Sequence, residues 1–580
     1  MNIAVVLRLL VIALVISTLY ACQQDPTAEA ISEDVDQIVV RLPDSPESFG
    51  PFTSRSNISK QVYMYMYNML ADYDFQTSEL KPVLIEALPV VEDMEDGGAI
   101  FSMRIKDEAV WEDGSEVTGH DVAWTIKMAI HPNFSNERVK AIYTRVEEVT
   151  VDKEDPKSFA IYTSSSQFLE KEIVLGTDVY PKHVFDSTGV LDAYSMSDLR
   201  SEGDKLENTA FKKVAEDFSS IAFSKERAGG SGPYYLENYE EGQYIVLRRK
   251  ADYWGLKYPD IDQLNQYPER FVFRIIPDEA TALTLLKNQE IDFIDFSRSS
   301  IAQYDDLIQD STFSNLYDFE QSAISRFVHI LLNHEDERLA DLNVRKALRH
   351  LIDRDRIIDQ LAGGYGTKQN GPIHISKPQF NKTIKPDEYD PDRAIELLEN
   401  AGWNDTDGDG IRDKEINGRS VPLELTWHVS GTSTSIGLST LATEACKAAG
   451  IKITTIEKPN SATFVENINP GDYDIFVILT TQFPLMDDLF PKYHSTSVGG
   501  GGNNILRFKN EEVDDLLELI RNTDDVTERQ AAYLKVQEIL YNEVDAIYLY
   551  SPELKFVVDN TIDPVFSSYT PGYFLNSKDK

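Results

Sequence analysis

The stretch FSMRIKDEAVWEDGSEVTGHDVAWT, residues 101–125, is the one on which the reading of the fold turns. Counted from Ala99, the positions Ala99, Phe101, Met103 and Ile105 are apolar at every second step, the period of a strand with one buried face. Thr118 and Asp121, three residues apart, then form a capping box that opens a helix through Ile130. The same alternation of elements continues outward. GQYIVLRRK (242–250) reads as a strand, and EATALTLLKNQEIDFIDF (279–296) as a helix, a turn and a strand. NVRKALRHLIDRDRIIDQLAGG (343–364) reads as two consecutive helices, with Asp353 capping the second. Val513, Leu516, Leu517 and Ile520 form an i, i+3, i+4, i+7 stripe, and TERQ (527–530) is expected to cap a further helix. Mixed strands and helices without an internal repeat indicate α/β or α+β architecture.

Composition narrows the function. The 580 residues carry a formal charge of −41, with 42% hydrophobic and 10% aromatic residues, which describes a folded chain with a strongly negative surface. Such a surface repels phosphate backbones, so nucleic acid is excluded as a partner class, and so is electrostatic attachment to anionic lipid. The chain begins with an apolar run from Ile3 to Ile16, broken only by Arg8. The run is shorter than the roughly 20 apolar residues of a membrane span and has the length of a secretory leader. Leu19-Tyr20-Ala21-Cys22 resembles the leucine, small residue, cysteine pattern of bacterial lipoprotein signals, which implies cleavage before Cys22 and acylation of its thiol. The alternative is an uncleaved anchor helix. Residues 1–21 are thus expected to be a leader and 22–35 a polar tether. With Cys22 lipidated, the other cysteine, Cys446, has no disulfide partner; in a small-residue helix ending at Gly450 it reads as a buried, inert thiol.

Enzyme signatures fail at specific residues. HEDER (334–338) has Arg338 where a zinc-protease helix needs its second histidine. GGSGP (229–233) ends in Pro233 where a nucleophile elbow needs glycine, and GGGG (499–502) lacks the lysine of a phosphate loop. No two of the nine histidines stand at i, i+4. No catalytic residue is assigned. One metal pattern is closer: NDTDGDGIRDKEI places Asp405, Asp407 and Asp409 at alternate positions before Gly410, with Asp413 at the ninth loop position, as in a calcium loop. The twelfth position is Ile416, so the bidentate carboxylate is missing, and Glu415 is one residue out of register. The two readings are a structural calcium and a solvated Asp/Gly turn; no other cofactor is expected.

Taken together, YNMLADYD, ELKPVLIEALP, FSMRIKDEAVWEDGSEVTGHDVAWT, GSGPYYLENYEEGQYIVLRRKADYW, NQEIDFI, LNVRKALRHLIDRDRI, AGWNDTDGDGIRDKEINGR, GDYDIF and NNILRFKNEEVDDLL resemble, nearly end to end and in order, the extracellular solute-binding proteins of bacterial ABC importers, in the peptide and nickel class. The resemblance implies a two-lobed periplasmic-binding-protein-like fold with an inserted domain. Residues 36–70, 186–297 and 550–580 would form a base lobe, 71–185 the inserted domain and 298–549 a second lobe. The chain would cross between lobes twice, near Phe296 and Tyr550, forming a hinge that closes over an extended ligand. The acidic segment 182–228 is not explained by the family pattern.

The resemblance also implies a function: an exported, membrane-tethered, monomeric receptor that hands peptides to the permease and ATPase subunits of an importer. Alternatives are the same fold binding a sugar oligomer or metal chelate, and a surface hydrolase. Peptide-binding members carry a Trp-x-x-Asp-type segment whose aspartate pairs with the ligand's ammonium. In LTTQFPLMDDLF (479–490) the aspartate position falls on Gln482 and the tryptophan position on Leu479. A neutral amide cannot neutralise an ammonium, so weak dependence on a free amino terminus is expected unless Asp487 or Asp488 substitutes; otherwise both sit on the surface. The other residues expected at the cleft are Thr480, Thr481, Ser430, Gly431, Thr432 and Asn504.

Overall fold

The computed structural model describes residues 36–577, apart from 55, 76, 78, 96, 166–167, 202–207, 221–228, 298–300, 483–486, 500–502 and 524. The leader, Cys22 and the tether therefore lie outside the described residues. Among the described residues no helix is long and apolar enough to cross a membrane.

The fold is organised by one strand, Ala546–Asp559, which is 14 residues long. Its first part pairs antiparallel with Arg326–Leu332, and its last part pairs antiparallel with Phe293–Asp295 and Tyr317–Ala323. A single twelve-stranded sheet results, in which the strands of one lobe run through Ile475–Thr481, Glu424–Val429 and Lys452–Glu457. Those of the other run through Gln37–Leu42, Arg270–Ile275, Tyr244–Arg249 and Tyr234–Glu240. The fold is thus mixed α/β and two-lobed, as expected.

The first crossing between lobes lies at Ile324–Arg326, downstream of the boundary expected at 298. Tyr304, Leu307, Phe313 and Tyr317 pack with Ile294 and Val557 of the base lobe, so residues 301–323 stay with it. The second crossing, at Ser551–Glu553, lies beside the first because both crossing chains share one ladder.

Local sequence explains the elements. Ala99, Phe101, Met103 and Ile105 are buried as the alternation requires. The Thr118 backbone N–H donates to Asp121 Oδ2 at 2.9 Å at the head of the helix Gly119–Ala129. Asp353 caps Arg354–Ala362 through the Arg356 N–H at 3.0 Å. The last long helix, Val526–Glu543, is capped by Asp525 rather than Thr527: Asp525 Oδ1 accepts from the N–H groups of both Thr527 and Glu528. Asparagine and aspartate are the stronger caps, and Asp525 stands where the backbone turns in. Cys446 is buried, unpaired and pushed up to about 12 by burial, which leaves its thiol unreactive.

Within 71–185, the residues expected to form an inserted domain, lies a separate four-stranded sheet, Val91–Asp93, Ala99–Arg104, Ser158–Thr163 and Val146–Val151. Its core runs without a break into that of the base lobe, with Phe101, Trp124 and Ile161 in the same cluster as Val40, Phe271 and Phe556. Within the acidic segment, the helix Thr209–Ser219 covers this domain with aromatic side chains. Phe218 lies 5.0–5.7 Å, centroid to centroid, from the rings of Tyr180, Phe185, Phe134 and Trp124. Phe211 stacks on His131 at 4.0 Å. This helix is therefore a structural cover. Phe218→Ala should lower the unfolding free energy by about 3–5 kcal/mol, read by denaturant titration; a loss below about 1 kcal/mol would show that the helix does not hold the domain.

Candidate functional site

Ser325, at the first crossing, is clamped by both lobes: its N–H donates to the Ser568 carbonyl at 2.6 Å, and its carbonyl accepts the Gln482 N–H at 2.7 Å. Ser551, at the second crossing, shares a 2.6 Å hydrogen bond with His374 Nε2, while His374 Nδ1 meets Ser376 Oγ at 2.7 Å. His374 and Ser551 are fully buried, and burial beside Lys377 pulls the imidazole down to about 4, so it stays neutral. The Gln482 side chain is spent in the same network. Its Oε1 accepts the His374 N–H at 2.7 Å and its Nε2 donates to the Pro372 carbonyl at 2.8 Å, with 6% of the residue exposed. In this arrangement Gln482 ties the loop around 372–374 to the crossing.

Asp487 and Asp488 are not on the surface. Asp487 forms an ion pair with Lys377, and both side chains are almost wholly buried. Burial raises the Asp487 carboxyl and lowers the Lys377 ammonium, while their attraction opposes both shifts. Asp488 takes the Arg521 guanidinium in two contacts, one of 3.0 Å through Nε and a shorter one through Nη2. Each carboxylate is therefore neutralised by its own lobe. Lys492, lowered by burial and facing Asp487 and Asp488, has no hydrogen bond or ion pair from its ammonium among the described residues.

The remaining expected residues divide. Thr480 and Thr481 end the strand Ile475–Thr481, just before Gln482, with Thr480 Oγ1 bonded to His329 Nε2 at 3.0 Å and Thr481 exposed. Ser430, Gly431 and Thr432 follow the neighbouring parallel strand Glu424–Val429, where Thr432 caps the helix Ser433–Ala448. Asn504 is buried and bonded to backbone, donating to the carbonyls of His494 and Phe508 and accepting the Phe508 N–H. Leu479, at the tryptophan position, is 48% exposed.

Opposite this loop stand groups the motifs did not reveal. Glu172, on the helix Phe168–Leu175 of the inserted domain, accepts the Tyr73 hydroxyl at 2.7 Å, and burial pushes its carboxyl up to about 7 against the pull of Lys377 from the second lobe. Tyr73 also meets Tyr569, from the end of the chain, ring to ring at 5.9 Å. A readable signal existed for Lys377 alone: it is the one charged residue of Asn370–Phe380.

In the acidic loop, Asp405, Asp407 and Asp409 converge, with one carboxylate oxygen from each within 4.8 Å of the others. Asp413 does not join them. It turns toward Thr406 and Ser420, accepting from Thr406 N–H and Oγ1 and from Ser420 Oγ.

A family model described as bacterial extracellular solute-binding proteins, family 5 middle, matches residues 79–502, and the chain belongs to this family. Among curated relatives, the oligopeptide-binding protein AppA of Bacillus subtilis is 24% identical over 525 residues, covering 89% of this chain and 86% of the relative. The structure of that AppA in complex with a nonapeptide superposes with a TM-score of 0.65 at 22% identity, covering 93% of this chain and 99% of the other. NikA from Brucella suis, in complex with Fe(III)-EDTA, superposes with a TM-score of 0.72 at 19% identity, covering 93% and 100%. These likenesses establish the two-lobed fold across the described chain.

Proposed function

We propose that the protein is a lipid-anchored receptor that captures oligopeptides between its lobes and hands them to the permease and ATPase subunits of an ABC importer. The observation that carries this reading is the double crossing. Two lobes between which the chain crosses on adjacent strands can part and close over a ligand, and closure strengthens every polar contact inside. Family membership and the end-to-end match to an oligopeptide-binding relative support peptide as the ligand. A metal chelate is the second reading, favoured by the superposition on a chelate-bound relative. Against a metal held directly by the protein here, His374 has both ring nitrogens in hydrogen bonds.

Mass spectrometry of small molecules released from the purified protein tests the function. Intact peptides are expected; a chelate would transfer the assignment to the second reading, and turnover of added peptides would overturn the receptor reading in favour of a hydrolase.

The lipid anchor rests on Leu19-Tyr20-Ala21-Cys22. Cys22→Ser should release the protein from the membrane fraction or leave it unprocessed. Continued membrane partition after cleavage of the leader would remove the lipid from the proposal.

For the acidic loop we propose a structural calcium held by Asp405, Asp407 and Asp409, supported by their convergence. An ion at a hundred times its dissociation constant, bound to the native state alone, adds about 2.7 kcal/mol. The melting temperature should therefore rise in calcium over chelator; equal melting would leave the solvated turn.

A further inference from the structure

The two chain crossings are not the whole connection between the lobes. The helix Arg354–Ala362 belongs to the second lobe, where Ile357 and Ile358 share the core of Trp427 and Leu438. Just past its end, Tyr365 leaves that core and packs against the cluster of Ile294, Tyr304 and Val557, which is base lobe. The chain then returns, because Gly366–Lys368 pairs antiparallel with Tyr550–Pro552 at the second crossing. Between leaving and returning, one side chain of the second lobe is set into the base lobe.

Base-lobe groups hold Tyr365 on several sides. Its hydroxyl donates to Asp305 Oδ1 at 2.5 Å, on the helix Ile301–Gln309, a length typical of a hydroxyl on a carboxylate. Its ring meets that of Tyr304, from the same helix, edge to face at 5.7 Å. The Lys555 ammonium stands over the ring, 5.1 Å from its centre. The Tyr365 carbonyl accepts the N–H of Glu553, where the base-lobe ladder begins, at 3.3 Å. Thr367 adds a hydroxyl contact to Glu553 Oε1 at 3.2 Å.

The sequence GGYG, residues 363–366, suits this placement. Gly363 ends the helix in the left-handed region at φ 61°, which glycine adopts without strain. A Cβ there would run into Cγ2 of Ile301, so the ends of two helices, one from each lobe, abut at this glycine. Tyr365 has little slack. Its backbone is tied to the second lobe by the helix before it and by the pairing of Lys368 with Tyr550 after it, while its ring and hydroxyl sit in the base lobe. A rotation of one lobe against the other therefore pulls directly on the bond to Asp305.

We propose that Tyr365 is a latch: its hydroxyl on Asp305 holds the lobes in the arrangement seen here, and movement of the lobes breaks that bond. The role of the latch rests on the receptor reading above, because a receptor must part its lobes to take in and release a ligand. Its test uses no ligand, so the latch can fail while the receptor reading stands, and a failed search for bound peptides leaves the latch intact.

The test is the distance between the lobes, read by pulsed electron spin resonance on the full mature chain. Spin labels go on Lys153→Cys and Asp392→Cys, both exposed and one on each side of the crossings, with the unsubstituted chain reporting any labelling of Cys22 or Cys446. The wild type should show one interlobe distance. Tyr365→Phe, which keeps the ring, and Asp305→Ala should each raise the ratio of displaced to latched molecules about tenfold or more, the weight of a hydrogen bond to a charged group. The double variant should go no further than either single one, because both remove the same bond. Unchanged distances in the single variants, whatever their melting temperatures, would overturn the latch. So would a change in only one of them, or effects that add in the double variant. If one single variant does not fold, the other against the wild type decides.

Discussion

Everything in this molecule depends on the ladder along Ala546–Asp559. One strand supplies hydrogen bonds to both lobes, so the lobes cannot slide past each other without breaking it. Between its two long partners it carries Pro552, which lacks an N–H, and there it pairs with Gly366–Lys368. Beside it the companion chain turns tightly, the Arg326 N–H donating to the Ile324 carbonyl at 2.6 Å. Of the polar groups around the pair, Ser325, His374, Gln482 and Ser551 are buried, and they and the exposed Ser376 are linked by hydrogen bonds. A satisfied network in a low-dielectric place holds one geometry; a half-satisfied one would be a liability.

The same constraint explains the fate of the expected ligand residues. Gln482 is the last described residue before the 483–486 gap, and its proximity to the crossing gives its amide two backbone partners. An aspartate there could accept the His374 N–H but could not donate to the Pro372 carbonyl. The amide therefore fits this loop for a reason that has nothing to do with neutralising a ligand. The ion pair of Lys377 with Asp487 likewise fixes the loop from within: removing one partner of such a buried pair leaves an unpaired charge, at about 3–5 kcal/mol.

Much of the fold was legible because alternation and capping are local. The buried face from Ala99 to Ile105, the Asp353 cap and the stripe of Val513, Leu517 and Ile520 depend on neighbours a few residues away. The lobe boundary was less legible. Tyr304, Leu307, Phe313 and Tyr317 announce that a face is buried but not against which lobe, so the crossing lay beyond the expected 298. The charges of the cleft were not legible at all. Lys377 and Asp487 are 110 residues apart in sequence, and in so acidic a chain no single carboxylate stands out before the fold brings it out of water.

The unbroken core between the base lobe and the inserted domain carries a further consequence. Phe101 and Trp124 share one cluster with Val40 and Phe556, so separating these parts would expose large aromatic faces to water. Burying such side chains is worth about 1.5–3 kcal/mol each, and several would be uncovered together. The second lobe's clusters, by contrast, lie on the two faces of its own half of the sheet, one around Trp403 and Trp427 and one around Tyr533 and Phe476. Any opening that keeps both cores intact must therefore turn the second lobe against a rigid unit of base lobe plus inserted domain. Glu172 and Tyr73 stand on that rigid unit and Lys377 on the second lobe, so the field between Glu172 and Lys377 changes with every degree of opening. Burial pushes this carboxyl up to about 7, while the Tyr73 hydroxyl, Lys171 and, from the second lobe, Lys377 pull it the other way.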